Sequence, residues 1–184
     1  IRINSIQIND ELNIQILDAL YNSYTLNNLY EESLDVAIEI LEKEDEINGI
    51  LSRSYVSSVG NLAATLLDLN KNELGLKTGL YALELSSELN DDVSGDEYTI
   101  YNSIGLAYTG LENYTDAIEN FEKSIEIRKK IFGEKSDEYF LALSNFSHLY
   151  SDIGQYDKAK SNYLKIIEFY KSNKIIDSVQ VAFT

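Results

Sequence analysis

The chain has 184 residues, 31 acidic and 15 basic side chains, and a formal net charge of −16, so a phosphate backbone or an anionic membrane surface is repelled on average; neither nucleic acid nor a membrane is an expected partner. With no cysteine, one histidine and no apolar run near the roughly 18 residues of a membrane span, disulfide frameworks, Cys/His zinc sites, thiol catalysis and transmembrane anchoring are excluded as well. Nine glycines and no proline suit packed helices joined by short turns.

Apolar residues recur at spacings of three and four along the chain. They predict helices over 10–27, 30–45, 50–69, 71–89, 96–111, 113–132, 136–152 and 155–172, with a ninth beginning near 175. These helices follow a period of 42 residues. The stretch Tyr101–Ile125 aligns without gaps to Leu143–Ile167, setting Tyr108 on Tyr150, Tyr114 on Tyr156, Ala117 on Ala159, Phe121 on Tyr163 and Ile125 on Ile167. Stepping back by the same interval places Leu62, Leu66, Gly75, Gly79 and Leu83 in those slots, and a further step Leu20, Tyr24, Ser33, Ala37 and Leu41. Four two-helix units result, over 10–45, 50–89, 96–132 and 136–172, forming one array across 1–184. Turns between the helices of a unit fall at Asn27–Asn28, Asn70–Asn72, Gly110–Asn113 and Asp152–Gln155, and longer connections at Asn90–Gly95 and Gly133–Ser136. The chain starts at Ile1 rather than Met and turns apolar again over Lys174–Thr184, so it is expected to be a piece of a longer protein. No signal-peptide pattern is visible in Ile1–Ile8, and the expected compartment is the cytoplasm.

In the third unit Tyr101, Ile104, Gly105, Tyr108, Tyr114, Ala117 and Phe121 stand in signature positions, and Ile131-Phe132-Gly133 followed by Ser144-Asn145-Phe146 and Leu149-Tyr150 keeps the spacing of a long linker. In these residues the chain resembles the tetratricopeptide repeats, and among them the 42-residue kind found in kinesin light chains. The resemblance implies an all-α, right-handed solenoid of stacked antiparallel helix pairs. It also implies that small residues (Gly105, Ser147, Ala63; Ala117, Ala159, Gly75) sit where the helices of a unit approach closely. The sequence departs from the family pattern in carrying Tyr101, Leu143, Val59 and Leu17 where the family has Trp, in lacking the Pro that often closes the second helix, and in setting a bulky Tyr21 at a small slot.

Little in the sequence points to chemistry. His148, the only histidine, has no evident orienting carboxylate and nucleophile, and structural or ligand-contact roles are expected of it. Asp91, Asp92, Asp96 and Glu97 lack the spacing of a calcium loop and read as a solvated connection. Glu31, Glu32, Asp35, Glu39 and Glu42 form an acidic helix face. The Tyr stripe at helical spacing reads as core, with an aromatic peptide cage as the alternative. No phosphate-binding glycine motif is present, and no catalytic residue, metal or cofactor is expected. Residues 1–50 hold 11 acidic and 2 basic groups whereas 101–184 hold 12 and 10, so the amino-terminal end is the electronegative one.

The resemblance further implies a concave groove lined by the first helix of each unit, where Asn commonly contacts the backbone of an extended peptide. Asn61 and Asn145 take one such slot and Asn102 the slot before it; Asn22, Asp68, Leu106, Thr109, His148, Ser151 and Asp152 are the neighbouring groove positions. The same Asn are also explained by an Asn-rich composition. Without Lys or Arg at these positions, the groove suits a neutral or basic peptide. The expectation is a non-enzymatic protein-interaction module binding a peptide or partner helix. The alternatives are a regulatory or sensor segment, as in arrays joined to kinases, transcription regulators or caspase-like peptidases, and a module that self-associates through its terminal repeats.

Overall fold

A computed structural model of the chain describes residues 10–89 and 97–172. They form eight α-helices: α1 (Asp10–Leu26), α2 (Tyr30–Asn48), α3 (Arg53–Asp68), α4 (Asn72–Glu88), α5 (Glu97–Gly110), α6 (Tyr114–Phe132), α7 (Asp137–Asp152) and α8 (Tyr156–Ser172). The fold is an all-α helical repeat. The first eight expected helices are present, and the largest shifts of an end fall at the junction of the first two units. There α2 runs on to Asn48 until Gly49 (φ 76°, ψ 163°) takes a conformation open essentially to glycine alone, and α3 waits for Ser52, whose hydroxyl caps the Tyr55 amide. Two repeats later Gly133 (φ 87°, ψ 162°) and Ser136 capping Tyr139 do the same. The ninth helix expected from about 175, the connection Asn90–Gly95 and the acidic residues Asp91, Asp92 and Asp96 lie outside the described residues.

The chain forms two compact halves, 1–96 and 97–184. In the first, α1 pairs with α2, α2 packs on α3, and α3 pairs with α4; in the second, α5 pairs with α6, α6 packs on α7, and α7 pairs with α8. The turn inside every unit is the same object. Asn28, Asn70, Glu112 and Gly154, spaced one repeat apart, all adopt positive φ between 56° and 74°. The residue after each donates its amide to a carbonyl five residues back: Leu29 to Tyr24, Lys71 to Leu66, Asn113 to Tyr108 and Gln155 to Tyr150, at 2.7–2.9 Å. This closure satisfies carbonyls that the ending helix leaves without a partner and turns the chain back on itself.

Between the helices of a unit the packing is a fixed-volume problem. In the third unit a Cβ on Gly105 would come within 3.2 Å of three ring atoms of Phe121, which is itself 1% exposed. In the first unit the sizes are exchanged: the slot of Gly105 holds Tyr21 and the slot of Phe121 holds Ala37, and both are buried in one cluster with Leu17, Val36 and Ile40. The Tyr21 hydroxyl reaches past α2 to α3, meeting Thr65 Oγ1 at 3.0 Å and donating to the Asn61 carbonyl at 3.2 Å. The bulky residue at a small slot is thus accommodated by a small partner and a satisfied hydroxyl. Tyr150 is buried with Ala117, Phe121, Phe146, Leu149 and Ala159, and Tyr108 and Tyr163 pack against that cluster, whereas Tyr114 and Tyr156 are exposed.

Two charged residues escaped the sequence reading because they stand on the apolar face of their helices. Glu44 and Arg128, two repeats apart, are 5% and 6% exposed. Each reaches the first turn of the next unit's first helix: Glu44 accepts from Ser54 Oγ at 2.5 Å and from Asn48 Nδ2 at 2.7 Å, while Arg128 Nη1 donates to the Glu138 carbonyl at 3.0 Å. The guanidinium also lies 4.5 Å over the Tyr98 ring. Burial draws its pKa down, and Tyr98 and Glu138 oppose that. Their signal was in the sequence: Ser33, Ala37, Ile40, Glu44 and Ala117, Phe121, Ser124, Arg128 share one helical spacing.

Two outcomes follow from this packing. Ala37→Phe should destabilise the protein by about 1–3 kcal/mol through overpacking, and less in the presence of Tyr21→Gly, so a double-mutant cycle in chemical denaturation should show a favourable coupling of at least about 0.5 kcal/mol. Glu112→Asn should stabilise the protein by about 0.5–1 kcal/mol, read as a higher denaturation midpoint, because Asn tolerates positive φ better than Glu.

Candidate functional site

The first helix of each unit turns one stripe toward its neighbours and leaves the opposite stripe outside the core. On α7, for example, Leu143, Phe146, Ser147 and Tyr150 are buried, while Asn145 and Ser151 are half-buried and His148 and Asp152 exposed. The same division holds at every expected groove position. In the amino-terminal half Asn22 and Asp68 are exposed and Asn61 is half-buried; in the carboxy-terminal half Asn102 and Thr109 are half-buried and Leu106 is exposed. None of the ten belongs to the buried core.

The structure brings two of them into direct contact. Asn145 Nδ2 donates to Asn102 Oδ1 at 3.0 Å, across from α7 to α5. That bond uses one amide hydrogen of Asn145 and one lone pair of Asn102, from side chains that each offer two donors and two acceptor positions. Thr109 and Ser151 contribute differently from what their type suggests. Their hydroxyls donate to the carbonyls of Gly105 (2.9 Å) and Ser147 (3.1 Å) one helical turn back, so toward a ligand they act as acceptors. Asn61 is tied through its backbone carbonyl, which accepts from Tyr21 and from Thr65 Oγ1 at 3.1 Å. The His148 ring meets the Tyr163 ring edge-on at 5.8 Å and so leans on α8.

In the amino-terminal half two carboxylates are disfavoured as anions mainly by partial desolvation. Burial, and secondarily the negative charge of Glu44, raises the Asp18 pKa above its ordinary 3.8, and burial raises that of Asp68. Burial also lifts the Tyr21 phenol, with the Asp68 charge adding to the effect and hydrogen bonds to Thr65 and Thr25 opposing it. Among the described residues no three His, Cys, Asp or Glu side chains are grouped so as to hold a metal ion, and no helix is long and apolar enough to cross a membrane.

One concavity was not anticipated. A groove of about 620 Å³ runs between α6 and α8 over α7, floored by Ile125, Leu143, Phe146 and Tyr150 and edged by Glu122, Glu126, Lys129 and Lys158. The Lys158 ammonium sits 4.9 Å from the Tyr150 ring centroid. Three of its floor residues, Leu143, Phe146 and Tyr150, are themselves buried core residues and share the spacing of the core.

Residues 96–172, which are α5 to α8, match the family model of the tetratricopeptide repeat, and the 42-residue interval of those two units runs on through the first half of the chain. Its fold is similar to that of BtubC (BKLC) from P. vanneervenii, with a TM-score of 0.71 and 18% identity over 93% of this chain and 68% of that one. It is similar also to a Podosopora anserina putative kinesin light chain with nearly identical TPR-like repeats, at a TM-score of 0.66 and 11% identity, covering 93% of this chain and 80% of the other. A Rap protein complexed with Competence and Sporulation Factor is matched at a TM-score of 0.70 and 22% identity over 86% of this chain, which spans 43% of that protein. Identities this low establish the fold. No curated protein matches the chain by sequence.

The raised Asp18 pKa has a signed consequence. The folded state binds the proton more readily than the unfolded chain, so this group's stabilising contribution is complete below the ordinary value of 3.8 and is lost as pH rises through the raised folded value. Asp18→Asn should therefore melt higher than the wild type at pH 7. The gap should close as pH falls toward about 4, as measured by thermal unfolding at a series of pH values.

Proposed function

We propose that this chain is a non-catalytic protein-binding module that takes an extended peptide or a partner helix on the polar face of its first helices. The observation that carries the reading is the Asn102–Asn145 pair. Two amide side chains from successive units stand side by side, half-buried, with donor and acceptor capacity beyond their mutual bond. An extended peptide presents alternating N–H and C=O groups, which amides on a rigid helical frame match at low entropic cost. Thr109 and Ser151, committed as acceptors, add preference for ligand N–H groups, and Leu106 supplies an exposed apolar contact. With no cation among the ten face residues and a surplus of carboxylates in the amino-terminal half, the preferred ligand is neutral or basic and is steered electrostatically.

A regulatory or sensor segment of a larger protein is the second reading. The likeness that favours it is to the Rap protein, whose solved complex contains a bound factor and of which this chain spans 43%.

Selection from a random peptide library against the immobilised protein tests the first reading. The enriched peptides should be neutral or basic. The double variant Asn102→Ala, Asn145→Ala, checked for unchanged helicity, should weaken their binding by about tenfold, equivalent to two hydrogen bonds near 0.7 kcal/mol each. Enrichment of acidic peptides, or affinity indifferent to both substitutions, would move the site elsewhere on the molecule.

A further inference from the structure

Gly49 and Gly133 end α2 and α6 in the same backbone conformation, one that only glycine adopts without strain. The residue before each glycine differs, because the buried charge one turn back differs. Before Gly133 stands Phe132, whose ring meets edge-on, at 5.6 Å, the Tyr98 ring that carries the Arg128 guanidinium. Before Gly49 stands Asn48, whose amide donates to the Glu44 carboxylate at 2.7 Å. A buried carboxylate needs donors where a buried guanidinium can use an aromatic face. Two separate requirements, a glycine for the backbone and an amide for Glu44, thus place asparagine and glycine side by side, and this is the one Asn-Gly pair in the sequence.

That pair has its own chemistry. Without a Cβ on the glycine, its backbone nitrogen has open access to the preceding side chain. Once deprotonated, the Gly49 nitrogen attacks Asn48 Cγ, a new C–N bond forms, and Nδ2 leaves as ammonia. Water then opens the resulting cyclic imide at either carbonyl, giving aspartate or isoaspartate at position 48. The fold opposes the first step. The Gly49 N–H donates to the carbonyls of Glu44 at 3.1 Å and Asp45 at 3.0 Å, Asn48 is the last residue of α2, and its Nδ2 is held by Glu44. Ring closure requires all of these bonds to open together.

We propose that Asn48 is a deamidation site guarded by the native structure, and that its conversion loosens the junction between the first and second units. Glu44 is 5% exposed, and through Ser54 it is the side chain that grips the start of α3. Conversion replaces its amide donor by a second carboxylate. The cavity of about 580 Å³ that Asn48 and Ser54 line is already lined by Asp10, Glu11 and Glu44, so the new charge enters a negative site. Isoaspartate also adds a carbon to the main chain and moves Gly49 away from the two carbonyls it binds.

Peptide mapping by mass spectrometry, after incubation of the full chain in heavy-oxygen water at mildly alkaline pH, tests this in buffer and in urea. In urea Asn48 should convert before any other asparagine. In buffer its conversion should be slower by at least about tenfold, the protection that a local opening free energy of about 1.4 kcal/mol supplies. Asn48→Gln, which would have to close a larger ring, should stay unconverted. Asn48→Asp should lower the denaturation midpoint, and the loss should shrink when it is combined with Glu44→Gln, whose amide can donate to the new carboxylate. Converted wild-type chain, separated by ion exchange on its added charge, should show the same lowered midpoint even if Asn48→Asp fails to fold when expressed. Equal rates in buffer and urea, or earlier conversion at another asparagine, would overturn the proposal. So would a converted chain as stable as the original, or a loss in Asn48→Asp that Glu44→Gln leaves unchanged.

Discussion

The spacing between the two helices of a unit is the constraint on which the rest depends. Helices packed at a contact distance of 8–10 Å leave room for one large side chain facing one small one, and the first and third units both meet that limit. The third unit solves it with Gly105 under Phe121; the first solves it the other way round, with Tyr21 over Ala37. What these two units share is one large and one small residue across the pair, not the residue at either position; the second unit sets Ala63 and Gly79 there. A tyrosine can be buried there because its hydroxyl, unlike a phenylalanine edge, finds Thr65 and the Asn61 carbonyl on the neighbouring unit. The exchange therefore does more than preserve spacing: it ties the first unit to the second.

Register between units rests on polar groups placed inside apolar surroundings. Glu44 and Arg128 carry opposite charges at one slot and perform one task, gripping the first turn of the helix that follows. Neither is an ion pair. The carboxylate accepts from a hydroxyl and an amide, which offsets the cost of burying it, whereas the guanidinium donates to one carbonyl and lies over an aromatic face while its buried Nε has no partner among the described residues. Because these bonds are directional, they hold one helix at a set height along its neighbour, where apolar packing alone would allow sliding. The contact between Asn102 and Asn145 depends on that alignment, since a slip of one residue would carry the two amides out of reach.

The molecule thus separates its surfaces by purpose. Stripes facing neighbouring helices are apolar, the opposite stripe of the first helices is amide-rich and hydroxyl-rich, and the stripe of α1 and that of α8 remain apolar without a neighbour among the described residues. The acidic surplus is concentrated in the amino-terminal residues, 11 acidic against 2 basic over 1–50, while 101–184 are nearly balanced.

The repeat, the eight described helices and the position of every intra-unit turn were legible in the residues, because a period of 42 and apolar spacings of three and four are properties of the chain itself. Asn28, Asn70 and Gly154 announce a left-handed residue by their type; Glu112 does not, and it adopts that conformation because the repeat requires it. That none of the ten face positions lies in the buried core also followed from register. Direct contact between Asn102 and Asn145, the commitment of the Thr109 and Ser151 hydroxyls to their own helices, the lean of His148 on Tyr163, and the groove between α6 and α8 did not. Each depends on how far apart two helices lie and how they are rotated, and those quantities are fixed by side-chain volumes packed across the interface. A sequence pattern states which stripe is buried. Only the tertiary structure decides which atoms on the other stripe come within 3 Å of one another.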